Sequence, residues 1–348
     1  MKVLVISQAY PDENNPYQLM YVHNRNRYYS CLGDEVTVLS FQAKVDYEYE
    51  KIKVITEKSL KKINIDKFDA YIFHAPNLKN HLRFFIYNKK SLINKSVFFF
   101  HGHEILDYTK YYYGDMSQSG ISFTRTIYEK LKISILRRFL NYYSDCLKLV
   151  FVSNWLKAQF DLNLRISADS FDSYVINNSI GCTFETKKWD AHRDKEYDFI
   201  TIRPLSELKY AVDVVVDIAK ENPEKKFLII GKGNLFNFLS KPDNVTHIDS
   251  FVTPNEMPSL LDKSRCALMP TRLDAQGVMV CEMASYGMPV ITSDIEVCKE
   301  MFNDFGNVCY LNNEEKILPN IPCGKPSTRF YEKETIAKEV DLLKRLGR

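Results

Sequence analysis

Two cations and two acids stand out for their types and spacing. Arg203 follows an apolar run, Phe199–Ile202, and Lys209 comes six residues later, at the start of a predicted helix. Both can converge on one anion above a strand end, and paired cations stabilise a diphosphate that gains charge as a bond to it breaks. Farther on, Asp274 precedes Gly277, and Glu282 follows inside a predicted helix from about residue 276 to 286. Amides at that helix start are expected to seat a phosphate. A carboxylate one or two turns inside can only accept hydrogen bonds, as from ribose hydroxyls beside the phosphate, and Asp274 can do the same for a sugar.

The elements that must position these groups are legible as apolar runs. Lys2–Ser7, Glu35–Phe41, Phe68–His74, Val97–His101, Leu147–Ser153 and Tyr174–Asn178 recur in the first half, with helix-length segments between them. Phe199–Ile202, Phe227–Ile230, Cys266–Met269, Pro289–Thr292 and Val308–Leu311 do so in the second. Buried parallel strands with crossover helices read this way. The expected fold is therefore α/β, with two Rossmann-like doubly wound domains facing a central cleft. Ligands of such sheets bind at the carboxyl ends of the strands, where strand order reverses. The expected domains are 1–182 and 198–330, with a charged linker at 183–197 and a C-terminal helix at 331–348 that packs back on the first domain.

Composition narrows the function. A length of 348 residues with 45% hydrophobic and 26% charged residues describes a folded chain with a sizeable core. A net charge of +3 is too small for a nucleic-acid binder. The charge is uneven: residues 1–180 carry 24 Lys and Arg against 18 Asp and Glu. An anionic membrane surface is thus a candidate partner for the first domain. No apolar stretch is long enough to span a membrane and Met1–Ile6 falls short of a signal peptide core, so a cytoplasmic location is expected. The eight cysteines form no C-x-x-C pair and are read as reduced thiols.

The run from Met269 to Asp294 carries a resemblance. Asp274 and Glu282 with seven residues between them, then Glu282-Met283-Ala284-Ser285-Tyr286-Gly287-Met288-Pro289-Val290, resemble the donor-binding signature of family 4 GT-B glycosyltransferases. In this chain Asp stands where the family has Glu, and Ala275-Gln276 where it has Gly-Phe. Arg203 and Lys209 fall at the family's cationic positions, with Ile202 and Tyr210 at its usual glycines, and Gly231-Lys232-Gly233 is similar to its Gly-x-Gly turn. The loop containing Phe251 and Val252 corresponds to one that holds the base by backbone groups.

The resemblance implies a retaining, metal-independent transfer of a sugar, hexosyl or related, from a nucleotide-diphosphate donor to a glycan or lipid-linked saccharide acceptor, in cell-surface polysaccharide synthesis. It implies no cofactor beyond the donor itself. Arg203 and Lys209 would bind the diphosphate, Glu282 the ribose and Asp274 the sugar, with Gly231, Gly233 and Gly277 admitting close approach. In the family a histidine at a first-domain strand end contacts the donor sugar; His101 in His101-Gly102-His103-Glu104 is the candidate, with His103 as fallback. An H-x-H metal pair is the competing reading of these histidines and lacks a third ligand cluster. The family's N-terminal glycine loop is missing, since Ser7–Tyr21 contains no glycine. A non-catalytic nucleotide-sugar-binding protein and a GT-B nucleotide-sugar epimerase are the alternatives.

Two segments of the first half invite further readings. Residues 128–143 combine Leu131, Ile135, Leu136 and Phe139 with Lys130, Lys132, Arg137 and Arg138, a pattern of either a core-packed helix with a solvated cationic face or an interfacial helix. Tyr108, Tyr111, Tyr112 and Tyr113 are candidates for stacking on sugar rings or for ordinary packing.

Overall fold

The computed structural model describes residues 1–348 except 17, 112–119, 254–255 and 347–348. Tyr112 and Tyr113 lie outside the described residues. The chain divides into two compact units, one of residues 1–108, 124–179 and 332–348, the other of 109–123 and 180–331. Each is an α/β unit built on one sheet, as expected.

In the first unit the strands are β1 (Lys2–Ser7), β2 (Glu35–Ser40), β3 (Tyr47–Tyr49), β4 (Ile52–Ile55), β5 (Ala70–His74), β6 (Ser96–Phe100), β7 (Leu147–Phe151) and β8 (Asp172–Val175). Their order is β3-β4-β2-β1-β5-β6-β7-β8, parallel except for β3. The central strands are buried on both faces, so they read as continuous apolar runs such as Val97–Phe100. The short β3 and β4 have no counterpart among the expected runs, because three or four residues of mixed polarity carry little periodicity.

The C-terminal helix Glu332–Leu343 belongs to this unit. Ile336, Val340, Leu342 and Leu343 enter its core beside Val22 and Tyr29. Buried Arg25 joins Glu339 at 2.7 Å and donates to the Asn178 side chain at 2.7 Å. The C-terminal helix and the helix Met20–Cys31 are thus tied by a buried ion pair.

The second unit holds β9 (Tyr197–Ile202), β10 (Phe227–Ile230), β11 (Val245–Ile248), β12 (Ser264–Met269), β13 (Val290–Ser293) and β14 (Val308–Leu311). All are parallel, in the order β11-β10-β9-β12-β13-β14. The chain runs from β9 outward through β10 to β11, then returns to the other side of β9 for β12. Strand order therefore reverses between β9 and β12, the place where α/β sheets bind ligands.

The segment expected as a linker, 183–197, is part of this second unit. Phe184 is buried against Tyr286, the helix Cys182–Thr186 packs there, and the Trp189 amide donates to the Tyr286 carbonyl at 2.9 Å. Two aromatic anchors outweigh the surrounding charge, and the unit begins at Ile180. All eight cysteines are free thiols; Cys266, Cys281 and Cys298 are buried, whereas Cys31 and Cys323 are exposed. Among the described residues no helix is long and apolar enough to cross a membrane.

Candidate functional site

The loops after β9 and β12 flank the reversal point, and each is shaped by its own sequence. Pro204 follows β9, a short turn spans Leu208–Tyr210, and left-handed Ala211 (φ 51°) leads into the helix Val212–Glu221. The helix starts three residues later than expected from Lys209, because the turn intervenes. On the neighbouring strand, Gly231 and Gly233 let the β10 turn press against this loop. A Cβ on Gly231 would sit 1.8 Å from the Arg203 carbonyl oxygen, and one on Gly233 2.5 Å from the Leu205 carbonyl carbon. Backbone hydrogen bonds from Arg203 to Ile230 (3.0 Å) and from Leu205 to Lys232 (2.8 Å) close the contact. Only glycine permits it.

Arg203 leaves the strand end with its side chain 6% exposed, and among the described residues its Nε and Nη2 have no hydrogen-bond partner. Its guanidinium lies 5.3 Å from the centroid of the Tyr210 ring, and the Lys209 ammonium lies 4.8 Å from the same ring. One aromatic ring thus stands beside both cations. Lys209 also pairs with Glu207 at 2.9 Å. Burial works against its charge, but Tyr210 and Glu207 outweigh it and raise its pKa, so the ammonium is firmly protonated.

The loop after β12 is strapped to this pair. The Arg272 amide donates to the Lys209 carbonyl at 2.8 Å, and the Arg272 guanidinium grips Asp213 through two bonds of 2.8 and 2.6 Å. Thr271 donates to the Lys209 carbonyl from its hydroxyl (3.1 Å), and its amide is held by Ser293 (2.8 Å). Lys209 and Asp274 therefore sit on loops fixed to each other. Sequence reading missed Tyr210, Arg272 and Asp213 as positioning groups. An aromatic beside a cation was the one signal available for Tyr210; the Arg272–Asp213 pair, 59 residues apart, left none.

Asp274 corrects one expectation. Its Oδ1 accepts from the amides of Ala275 (2.8 Å), Gln276 (3.2 Å) and Gly277 (2.8 Å). Of the amides expected to seat a phosphate, those of Gln276 and Gly277 are taken by the carboxylate that precedes them, because Asp readily bonds amides one to three residues on. Oδ2 lies beside Gly277 (φ 74°), 3.2 Å from where a Cβ would stand there. The helix then runs Val278–Tyr286 and ends at left-handed Gly287. Glu282 lies one turn in, half-buried, and its Oε1 accepts from the Gly181 amide at 3.4 Å. Burial lifts its pKa to about 7, against the weak opposing pull of that hydrogen bond.

Along the far edge, the Lys232 ammonium lies 5.1 Å from the Phe251 ring centroid, which joins the glycine turn to the loop holding Phe251 and Val252. Phe251 is 58% exposed and Val252 half-buried. Strand β11 just upstream was not among the expected runs. Its exposed Thr246 and Ile248 alternate with Val245 and His247 on an edge strand, which weakens the apolar signal.

His101 belongs to the first unit, just past β6. Its Nε2 is 3.1 Å from Nδ1 of His74, and its ring lies 4.5 Å from that of Tyr21. Burial, with Arg25 and His103 nearby, holds its pKa well below that of a free imidazole, so the ring is neutral. Glu104 accepts from the backbone amides of His101 (3.1 Å) and Gly102 (2.7 Å) and shapes the turn. Among the described residues no group of three or more His, Cys, Asp or Glu side chains is placed to hold a metal ion.

Comparison with known proteins adds to this geometry. Residues 183–318 match the profile of a family described as Glycosyl transferases group 1. No curated protein matches the chain significantly. Among solved structures, the chain is similar to a sucrose-phosphate synthase from Thermosynechococcus elongatus, with a TM-score of 0.65 and 11% identity over 90% of this chain and 86% of that one. It is similar to a glycosyltransferase from Rickettsia africae, at a TM-score of 0.60 and 15% identity over 98% and 87% of the two chains. A third is Anabaena HepE, solved in complex with UDP and glucose, at a TM-score of 0.59 and 11% identity over 86% and 82%. The fold is that of the GT-B proteins, two Rossmann-like units.

Proposed function

We propose, on the premise that residues 183–318 form a glycosyl transferases group 1 domain, that the chain is a retaining glycosyltransferase. It moves a sugar from a nucleotide-diphosphate donor to a glycan or lipid-linked saccharide, in cell-surface polysaccharide synthesis. The observation that carries this reading is the buried Arg203 guanidinium at the sheet's reversal point, two of whose nitrogens have no hydrogen-bond partner among the described residues. A buried cation is costly unless an anion completes it, and a diphosphate supplies that anion.

The chemistry follows from the charges. The bond from the sugar's anomeric carbon to the phosphate oxygen breaks as the acceptor oxygen bonds to the same face. The departing oxygen gains negative charge and takes the acceptor proton. Arg203 and Lys209 stabilise that charge, so no metal is required and no cofactor beyond the donor is used. Asp274 accepts from sugar hydroxyls through Oδ2, and Glu282 accepts from the ribose. Gly231, Gly233 and Gly277 admit the donor closely, and the backbone at Phe251 and Val252 holds the base. Neutral His101 donates to the sugar. The work is orientation and charge stabilisation, with no enzymic nucleophile. A lipid-linked acceptor places the protein in the cytoplasm, at the inner face of the membrane.

A thermal-shift panel of UDP-, GDP-, ADP- and CMP-linked sugars tests the reading, since a ligand of the folded state raises its melting temperature. One donor is expected to shift the wild type and to be hydrolysed or transferred, and Arg203→Ala and Glu282→Ala should lose both while staying folded. Binding without turnover would point to a non-catalytic partner, and an altered donor sugar in the absence of acceptor to an epimerase. No shift with any donor would sink all three.

A further inference from the structure

The helix Phe123–Tyr142 has two apolar faces where a surface helix needs one. The first is its core face: Leu136, Phe139 and Leu140 are buried, with Phe139 at 5.3 Å from the Phe85 ring. On the same side Lys132 pairs with Glu129 at 2.6 Å and donates to the His103 and Leu106 carbonyls, so its charge is satisfied inside.

The opposite face carries Ile127 (43% exposed), Leu131 (54%), Ile135 (47%) and Tyr142 (78%). At about 100° per residue these fall within an arc of about 80°, in a row about 22 Å long. Single exposed apolar residues are ordinary; an aligned row marks an interaction surface. Arg138 lies inside the arc and Lys130 about 60° outside it, both exposed. The helix's one acid, Glu129, is turned inward, bonded to Lys132 and Arg125. The charges on the outward face are therefore all cationic.

We infer that this face docks on an anionic lipid bilayer, the helix lying in the plane of the interface with Ile127, Leu131, Ile135 and Tyr142 inserted and Lys130 and Arg138 on headgroup phosphates. Such a pairing of apolar row and flanking cations is what an interfacial helix needs. A second copy of the chain fits less well, because two such faces would bring like charges together. The excess of Lys and Arg over residues 1–180 adds long-range attraction of the same sign. The inference gives a defined surface to the membrane location proposed above, and its test does not depend on donor chemistry.

The full-length chain is sedimented with phosphatidylcholine vesicles with and without phosphatidylglycerol. Binding is expected only with phosphatidylglycerol, and to weaken as salt is raised. Leu131→Asp with Ile135→Asp should lower the partition coefficient by about tenfold or more. Lys130→Glu with Arg138→Glu should lower it by about fivefold per position and flatten the salt dependence. Both variants should melt like the wild type and keep its donor-induced thermal shift. Absence of wild-type binding, unchanged binding by both variants, or a dimer that the aspartates dissolve would overturn the proposal. Vesicle binding by a wild type that responds to no nucleotide sugar would instead uphold this surface and remove the donor reading.

Discussion

Gly231 and Arg203 are in backbone contact so close that any side chain at Gly231 would overlap the Arg203 carbonyl oxygen, 1.8 Å from an added Cβ. The contact aligns the ends of two neighbouring strands and sets where the Arg203 side chain departs. Gly231→Ala should therefore destabilise the protein by about 2–4 kcal/mol, the scale of forced backbone displacement. It should also weaken donor binding more than its melting loss implies. Gly120→Ala, with nothing within 4 Å of an added Cβ, is the control and should be nearly silent in both melts and donor titrations.

Tyr210 holds Arg203 and Lys209 over one ring, at 5.3 and 4.8 Å. A cation–π contact is worth about 1 kcal/mol, about fivefold in affinity. Tyr210→Leu should raise the donor KM about fivefold with the fold intact. Tyr210→Phe, which keeps the ring, should stay within about twofold. Equal effects of the two changes would remove the ring from this role.

Glu282 gives a pH signature. Its folded pKa of about 7 lies above the ordinary value of 4.5, because burial disfavours the carboxylate. The folded state therefore binds more protons than the unfolded one between these values. The stability this contributes is full below about pH 4.5 and is lost as pH rises through about 7, up to about 3 kcal/mol. Glu282→Gln should flatten that fall and melt higher at pH 8. Donor affinity should move oppositely, rising as the carboxylate forms, since only the ionised group accepts through both oxygens. Thermal melts and donor titrations from pH 5 to 8 read the two trends.

Removing one partner of a buried pair leaves the other charge stranded. Arg25 and Glu339, both fully buried and 2.7 Å apart, are such a pair. Glu339→Ala should destabilise by about 3–5 kcal/mol, and Glu339→Gln by less, as chemical denaturation would measure. Deleting residues 332–348 removes Ile336, Val340, Leu342 and Leu343 from the first core as well, and should leave that unit unable to fold.

Local physics made much of this protein readable. Buried parallel strands must be apolar throughout, so β1, β5, β6, β7, β9, β10 and β12 showed in the sequence. The acids, cations and glycines of the second unit follow turn and helix-start chemistry that acts within a few residues, and their types and spacing were enough to nominate a diphosphate site. Tertiary structure alone decided the rest. That Asp274 spends one oxygen on three amides, and that Tyr210 serves two cations, depends on loop geometry and not on spacing. That Arg25 meets Glu339 across 314 residues has no local signal at all. The helix Phe123–Tyr142 is the clearest case, since Leu131 and Leu136 are equally apolar in sequence. Which one the core takes, and which is left to meet something else, is settled only by the neighbours packed against one side.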